Sequence, residues 1–198
     1  MSTAIDYFFT VVSPWSYLGD ARLRQITERY DVNLTHKPVN TPTIFSRTGG
    51  LQLKERSDQR KAYRMQELKR WRDQLNIELT LEPRFFPTND QLAARTIVAT
   101  QRIGKDPSEL VHGLMRACWV EDQDVAEASV VKSVLDAVGL ESETLLAHAD
   151  NEDCRSEIEA NTEEAISRNV FGVPAYVIGD ELFWGQDRLD FVERLLSR

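Results

Sequence analysis

Cysteine is scarce in this chain, and that scarcity narrows the function before any motif is read. Only Cys118 and Cys154 occur among 198 residues, far apart and outside any Cys-x-x-Cys spacing. Neither a disulfide framework nor a dithiol redox centre is encoded, and both are expected as reduced thiols in helical segments. Histidine is as sparse: His36, His112 and His148 are scattered, and no metal site follows from them. Positive charge is in deficit, with 24 Lys and Arg against 32 Asp and Glu for a net charge of −8. That balance disfavours nucleic acid or an anionic membrane as the main partner, although a few local cations can still hold an anionic substrate. Asp6 interrupts the first apolar stretch and no basic segment precedes it. The expectation is neither a signal peptide nor a membrane span, and a cytoplasmic location.

What is present is ordinary for a folded protein, 41% hydrophobic and 28% charged residues, enough for a real core. β-Branched and aromatic residues from Ile5 to Val12 predict a strand. A helix follows from Pro14 to Tyr30, with Leu18, Leu23 and Ile26 on its apolar face, then a strand from Asn33 to Pro38. From Thr41 to about Leu53 the pattern fails, and Pro42, Gly49 and Gly50 mark a loop. Helical periodicity begins near Ser57, where Tyr63, Leu68, Trp71 and Leu75 recur. Pro83 and Pro87 bracket a short extended connection, Arg84-Phe85-Phe86. Further helices are read over Asp90 to Ile103, Pro107 to Val120, Ala128 to Val138, Ser142 to Ala149 and Asn151 to Arg168, with Gly104 and Gly139 just past helix ends. Strand Ala175 to Ile178, the turn Gly179-Asp180, strand Leu182 to Trp184 and a last helix to about Leu196 complete the chain.

A β-α-β unit and a β-β-α unit are thus separated by an all-helical middle. Neither end can bury a sheet alone, so the two must pair and the middle is an insertion within one domain. Two segments at these ends carry chemistry. Ser13-Pro14 opens the first helix as cap and first-turn proline, where backbone N–H groups and the macrodipole favour negative charge. That is a good place to hold a thiolate. Val173-Pro174 precedes the third strand and is a candidate cis bond, since only X-Pro tolerates cis at modest cost. Ser-Pro is also a common cap with no chemistry, and no histidine nearby makes Ser13 an acylating nucleophile. A hydroxyl without a base suits hydrogen-bond donation.

Strand, reactive helix N-terminus and a distant cis-Pro resemble the thioredoxin superfamily. Ser13-Pro14-Trp15-Ser16-Tyr17-Leu18-Gly19, Phe85-Phe86-Pro87, Asn169 to Ala175 and Phe183-Trp184-Gly185-Gln186-Asp187-Arg188-Leu189 together resemble the glutathione-dependent 2-hydroxychromene-2-carboxylate isomerases, relatives of kappa-class glutathione transferases. The resemblance runs from Ile5 to Leu195. It implies an α/β, thioredoxin-like fold (βαβ plus ββα) with a large helical insertion: residues 1–40 and 168–198 as a discontinuous thioredoxin-like domain, 41–167 as the insertion.

The resemblance also implies glutathione as cofactor and Ser13 as the catalytic residue contacting its sulfur. A hydroxyl donor at a helix N-terminus lowers a thiol pKa. Val173 and Pro174 would pair with the cysteinyl backbone as an added strand does. Gln186 and Asp187 would grip the γ-glutamyl group, with Asp187 on its ammonium, and Trp184 would wall the pocket. Each has a plainer reading: Asp187 as a first-turn acid, Trp184 as a core residue. Lys61 is chosen, over Arg60 and Arg64, for the glycyl carboxylate. Asn40 matches a polar position leading into the substrate loop, and equally ends a strand before a turn. Enolate charge on the substrate would need donors, from the Asn40 loop or Arg84. The implied activity is interconversion of an aromatic 2-oxo acid of the 2-hydroxychromene-2-carboxylate type, in a homodimer. A kappa-like transferase and a non-catalytic glutathione-binding protein are the rivals. Ser13 and Ser16, standing where two cysteines would stand, argue against a thiol-disulfide oxidoreductase.

Overall fold

The two ends of the chain meet in one sheet. In the computed structural model, which describes residues 4–198, β1 (Ala4–Phe9) pairs parallel with β2 (Asn33–Pro38) and antiparallel with β3 (Ala175–Ile178). β3 pairs antiparallel with β4 (Glu181–Trp184), giving the order β2-β1-β3-β4. Helix α1 (Pro14–Tyr30) is the crossover that a parallel β1/β2 pair requires. Strand alternation sends Ile5, Tyr7, Phe9, Tyr176 and Ile178 to one face, under α1 and α9 (Leu189–Leu196). Phe8, Ala175 and Val177 go to the other. There they meet Ile44 of α2 (Thr41–Thr48) and Ala165 of α8 (Glu152–Ser167).

Between β2 and β3 the chain is helical: α2, α3 (Asp58–Leu75), α4 (Gln91–Arg102), α5 (Ser108–Trp119), α6 (Ala128–Ala137), α7 (Ser142–Ala149) and α8. Apart from Ile44 of α2 and Ala165 of α8, which cover the other face, their buried hydrophobic residues, including Leu68, Ile97, Leu114, Leu135 and Leu145, are continuous with the α1 face of the sheet. The middle therefore folds onto the sheet's own core. Cys118 and Cys154 are free and buried, and among the described residues no helix is long and apolar enough to cross a membrane.

Two expectations need correction. β1 stops at Phe9, not Val12. Its ladder partners run out at Pro38, and a proline has no N–H to continue the ladder. Thr10 to Val12 instead form a turn closed by the Ser13 N–H on the Thr10 carbonyl at 3.1 Å. Residues 41–48, expected as loop, form α2. Asn40 caps it, its Oδ1 accepting the Thr43 N–H at 3.1 Å, and Pro42 sits in the first turn where proline costs nothing. Pro42 and Gly49 mark the ends of a short helix, not a loop.

Candidate functional site

Sheet register gathers the sequence motifs. β1 and β2 run in parallel and end together at Phe9 and Pro38. β3 runs the other way and begins beside Phe8 with Ala175, which in turn faces Trp184 at the end of β4. The Ser13 turn, Asn40, the Val173-Pro174 bond and the Trp184 to Asp187 segment therefore leave the sheet from one edge. Val173-Pro174 is cis, and so is Phe86-Pro87.

Ser13 is 7% exposed, in extended backbone at the N-cap of α1, with Pro14 behind it. Its Oγ accepts the Ser16 N–H at 3.2 Å. A serine hydroxyl has one proton besides its lone pairs. With the lone pair aimed into the helix, that proton is left to donate outward, beside the first-turn N–H groups that favour negative charge. Pro174 anchors the facing segment, its carbonyl accepting the Gly185 N–H at 2.9 Å.

The segment after β4 divides its labour. Trp184 is half exposed and leans on Phe171, ring centroids 4.7 Å apart, so it is a surface residue and not a core one. A Cβ on Gly172 would stand 2.7 Å from the Trp184 Nε1, so the indole lies flat against that backbone. Gln186 points inward. It is 4% exposed and its Nε2 is buried without a partner among the described residues. Its Cβ presses on α1, where a side chain on Gly19 would come within 2.9 Å of both Gln186 and the Tyr176 hydroxyl. Asp187 stays accessible, 3.1 Å from the Arg188 guanidinium. Asn40 spends its side-chain oxygen on the α2 cap, which leaves the amide nitrogen out of it.

Among the candidate cations the structure separates Lys61 from Arg64. Lys61 is half-buried on α3 and already has a carboxylate near it, Asp58 at 3.7 Å. Arg64, one turn on, lies with its guanidinium 5.4 Å from the Phe86 ring. Phe86 packs on Trp119 at 5.0 Å, and the Trp119 indole N–H donates to the Val11 carbonyl at 3.2 Å. This stack ties Arg64 to the Ser13 turn. Burial, then the Arg56 charge, brings its pKa down to about 10. No carboxylate among the described residues pairs with it, and its nearest polar contact is the Met65 sulfur at 3.7 Å. Nothing in the sequence separated the two, since Arg64 and Lys61 precede Leu68 by four and seven residues and so share its helix face. Arg84 is committed elsewhere, bonded to Asp122 through its backbone N–H and its guanidinium.

One contact had no sequence signal. The Thr10 hydroxyl, inside the Ser13 turn, donates to the carboxylate of Asp90 at the start of α4.

The family model of the DSBA-like thioredoxin domain matches residues 4–197. The chain belongs to that family. Within it, this DsbA-like chain is 27% identical over 198 residues to the 2-hydroxychromene-2-carboxylate isomerase of Sphingobium xenophagum, covering 99% of each. It is 21% identical over 207 residues to glutathione S-transferase kappa 1 of Rattus norvegicus, covering 98% of this chain and 90% of that one. A solved 2-hydroxychromene-2-carboxylate isomerase superposes with a TM-score of 0.83 at 23% identity, over 98% of this chain and 95% of that one. The thioredoxin-like fold with a helical insertion, read from the motifs, stands.

Proposed function

We propose that this protein is a glutathione-dependent isomerase of an aromatic 2-oxo acid, of the 2-hydroxychromene-2-carboxylate type. The observation that carries the reading is Ser13: a helix-capping hydroxyl that accepts from the Ser16 N–H and keeps its own proton to donate. The residues at this sheet edge fit glutathione. Arg64, with no carboxylate partner among the described residues and its pKa lowered by burial, suits a carboxylate better than Lys61, which already stands beside Asp58. The Val173-Pro174 backbone would take the cysteinyl part, and Asp187 the γ-glutamyl ammonium. Gln186, turned under α1, would act by fixing the segment that carries Asp187. Trp184 would wall one side of the pocket, with the Asn40 amide at the other. The pocket would lie between the thioredoxin-like part, residues 1–40 and 168–198, and the helical part, 41–167.

When bound, glutathione supplies a thiolate nucleophile that adds reversibly to a conjugated substrate and is released unconsumed. The chain's share is to hold that sulfur ionised. The Ser13 hydroxyl donates to it, and the positive end of the α1 dipole adds its field, with Trp15 carrying the first-turn N–H that Ser13 does not itself bond. The names of the full-length relatives support the isomerase assignment. The kappa-class relatives favour a second reading, in which the same sulfur is transferred to an electrophile.

A spectrophotometric assay of 2-hydroxychromene-2-carboxylate interconversion, with and without glutathione, tests the proposal on the wild type and Ser13→Ala. Glutathione-dependent turnover that falls by about tenfold or more in the variant is expected for loss of one charge-stabilising donor. No turnover, with glutathione consumed by an added electrophile, moves the assignment to transferase.

A further inference from the structure

The turn that presents Ser13 cannot rely on the sheet. β1 ends at Phe9, and the next residues, Thr10, Val11 and Val12, pair with no strand. The Trp119 indole holds the turn's Val11 carbonyl from outside, and Thr10 holds the turn from within. The Thr10 carbonyl accepts the Ser13 N–H at 3.1 Å and its Oγ1 accepts the Val12 N–H at 3.3 Å. A threonine hydroxyl rotates freely until its single proton finds an acceptor. Here that acceptor is Asp90 Oδ2, 80 residues away in sequence. With the proton so directed, the lone pair stays on Val12.

Asp90 is diverted to this task. Aspartate at a helix N-cap ordinarily takes an N–H of its own first turn, yet the Asp90 side chain makes no cap bond to α4. Asn89 accepts the Gln91 N–H instead, at 3.0 Å. Burial pushes the Asp90 carboxyl up, and the Thr10 hydrogen bond only partly offsets that. From α5, Cys118 faces the same spot, its thiol pushed up to about 12 by burial and then by the carboxylates of Asp90, Asp124 and Asp122. No cation pairs with Asp90 among the described residues. Asp90 is half-buried, and a partly desolvated carboxylate with no counter-charge is costly to keep, which capping does not repay here.

We propose that Asp90 is a positioning residue of the thiol site: through the Thr10 hydroxyl it locks the turn from Thr10 to Ser13, and with it the direction of the Ser13 hydroxyl. The proposal rests on the reading of Ser13 as the thiolate's donor. It makes the first turn of α4, in the helical insertion, a supporting part of a site built on the sheet.

The test uses the full chain as Asp90→Ala, Thr10→Val and Asp90→Asn, with two readouts. Amide hydrogen exchange at Val12 and Ser13 is followed by NMR without ligand, against a mid-sheet amide such as Val177. The thiol pKa of bound glutathione is followed by thiolate absorbance, with Ser13→Ala as control. Asp90→Ala and Thr10→Val are expected to speed exchange at Val12 and Ser13 about tenfold while Val177 is unchanged. They are expected to raise the bound thiol pKa by about one unit. Asp90→Asn, whose amide oxygen still accepts from Thr10, is expected to restore both. Unchanged exchange in folded Asp90→Ala or Thr10→Val overturns the proposal. A thiol pKa that follows Ser13→Ala but not Asp90→Ala overturns it too. Faster exchange with a thiol pKa that ignores even Ser13→Ala keeps the lock on the turn and removes the glutathione reading instead. If Asp90→Ala does not fold, Thr10→Val and Asp90→Asn decide between these outcomes.

Discussion

At the scale of single residues, charge and close contact separate the groups that bind from those that support. A guanidinium half-buried against Phe86, its pKa held down to about 10 and with no carboxylate partner among the described residues, costs stability that a bound anion would offset. Arg64→Met should therefore leave the thermal midpoint unchanged or raised while weakening glutathione binding about tenfold, the scale of one charge-assisted hydrogen bond. Lys61→Met should change the affinity less than about twofold, as for an exposed pair. Calorimetric titration of both variants checks the contrast, and equal losses would return the role to Lys61. Gly19 sits where Tyr176 and Gln186 press on α1. Gly19→Ala puts a methyl group 2.9 Å from each and should cost about 1–3 kcal/mol in denaturant unfolding, despite alanine's better helix propensity.

At the scale of elements, short helices depend on their ends. α2 is eight residues long with one fully buried side chain, Ile44, too short to persist on propensity. Its Asn40 cap is also tied down by the Asn40 N–H on the Thr162 hydroxyl at 2.9 Å. Asn40→Ala should lower stability by about 1 kcal/mol and raise exchange at the Thr43 amide before any other. Loss of turnover far beyond that small destabilisation would mark the freed amide nitrogen as a substrate contact. α1 shows the other use of a cap. Ser13 sits on a seventeen-residue helix whose stability comes from packing, which leaves its hydroxyl able to serve chemistry.

For the molecule as a whole, one row of side chains crosses the sheet beneath α1. His36, Tyr7 and Tyr176 are register partners, and the Tyr7 and Tyr176 rings stack at 5.4 Å. Burial brings the His36 pKa down to about 4, against the opposing pull of Asp20 and Asp106. The folded state thus resists a proton that the unfolded chain accepts near pH 6.5. Stability from this residue is present above that pH and is lost as pH falls through the window down to about 4. The loss is on the order of 3 kcal/mol. His36→Phe should flatten the acid side of the thermal-midpoint profile across that window. A variant profile parallel to the wild type's would show that the loss arises elsewhere.

Local chemistry sufficed for much of this protein. Ser13-Pro14 caps a helix, Gly179-Asp180 turns a hairpin and the apolar periodicities define most helices, because caps, turns and amphipathic faces are written within a few residues of the groups they serve. The cap at Ser13 and the candidate cis bond at Val173-Pro174 were legible in those signals. Residues 41–48 were misread as loop because proline and glycine punctuate helix ends and loops alike. Which cation is desolvated, where Gln186 points and what Asp90 holds were decided only by the tertiary structure. Each depends on a partner far along the chain: Arg64 on Phe86, Gln186 on Gly19, Asp90 on Thr10. Burial and counter-charge belong to the assembled core and cannot be read from residues that only folding brings together.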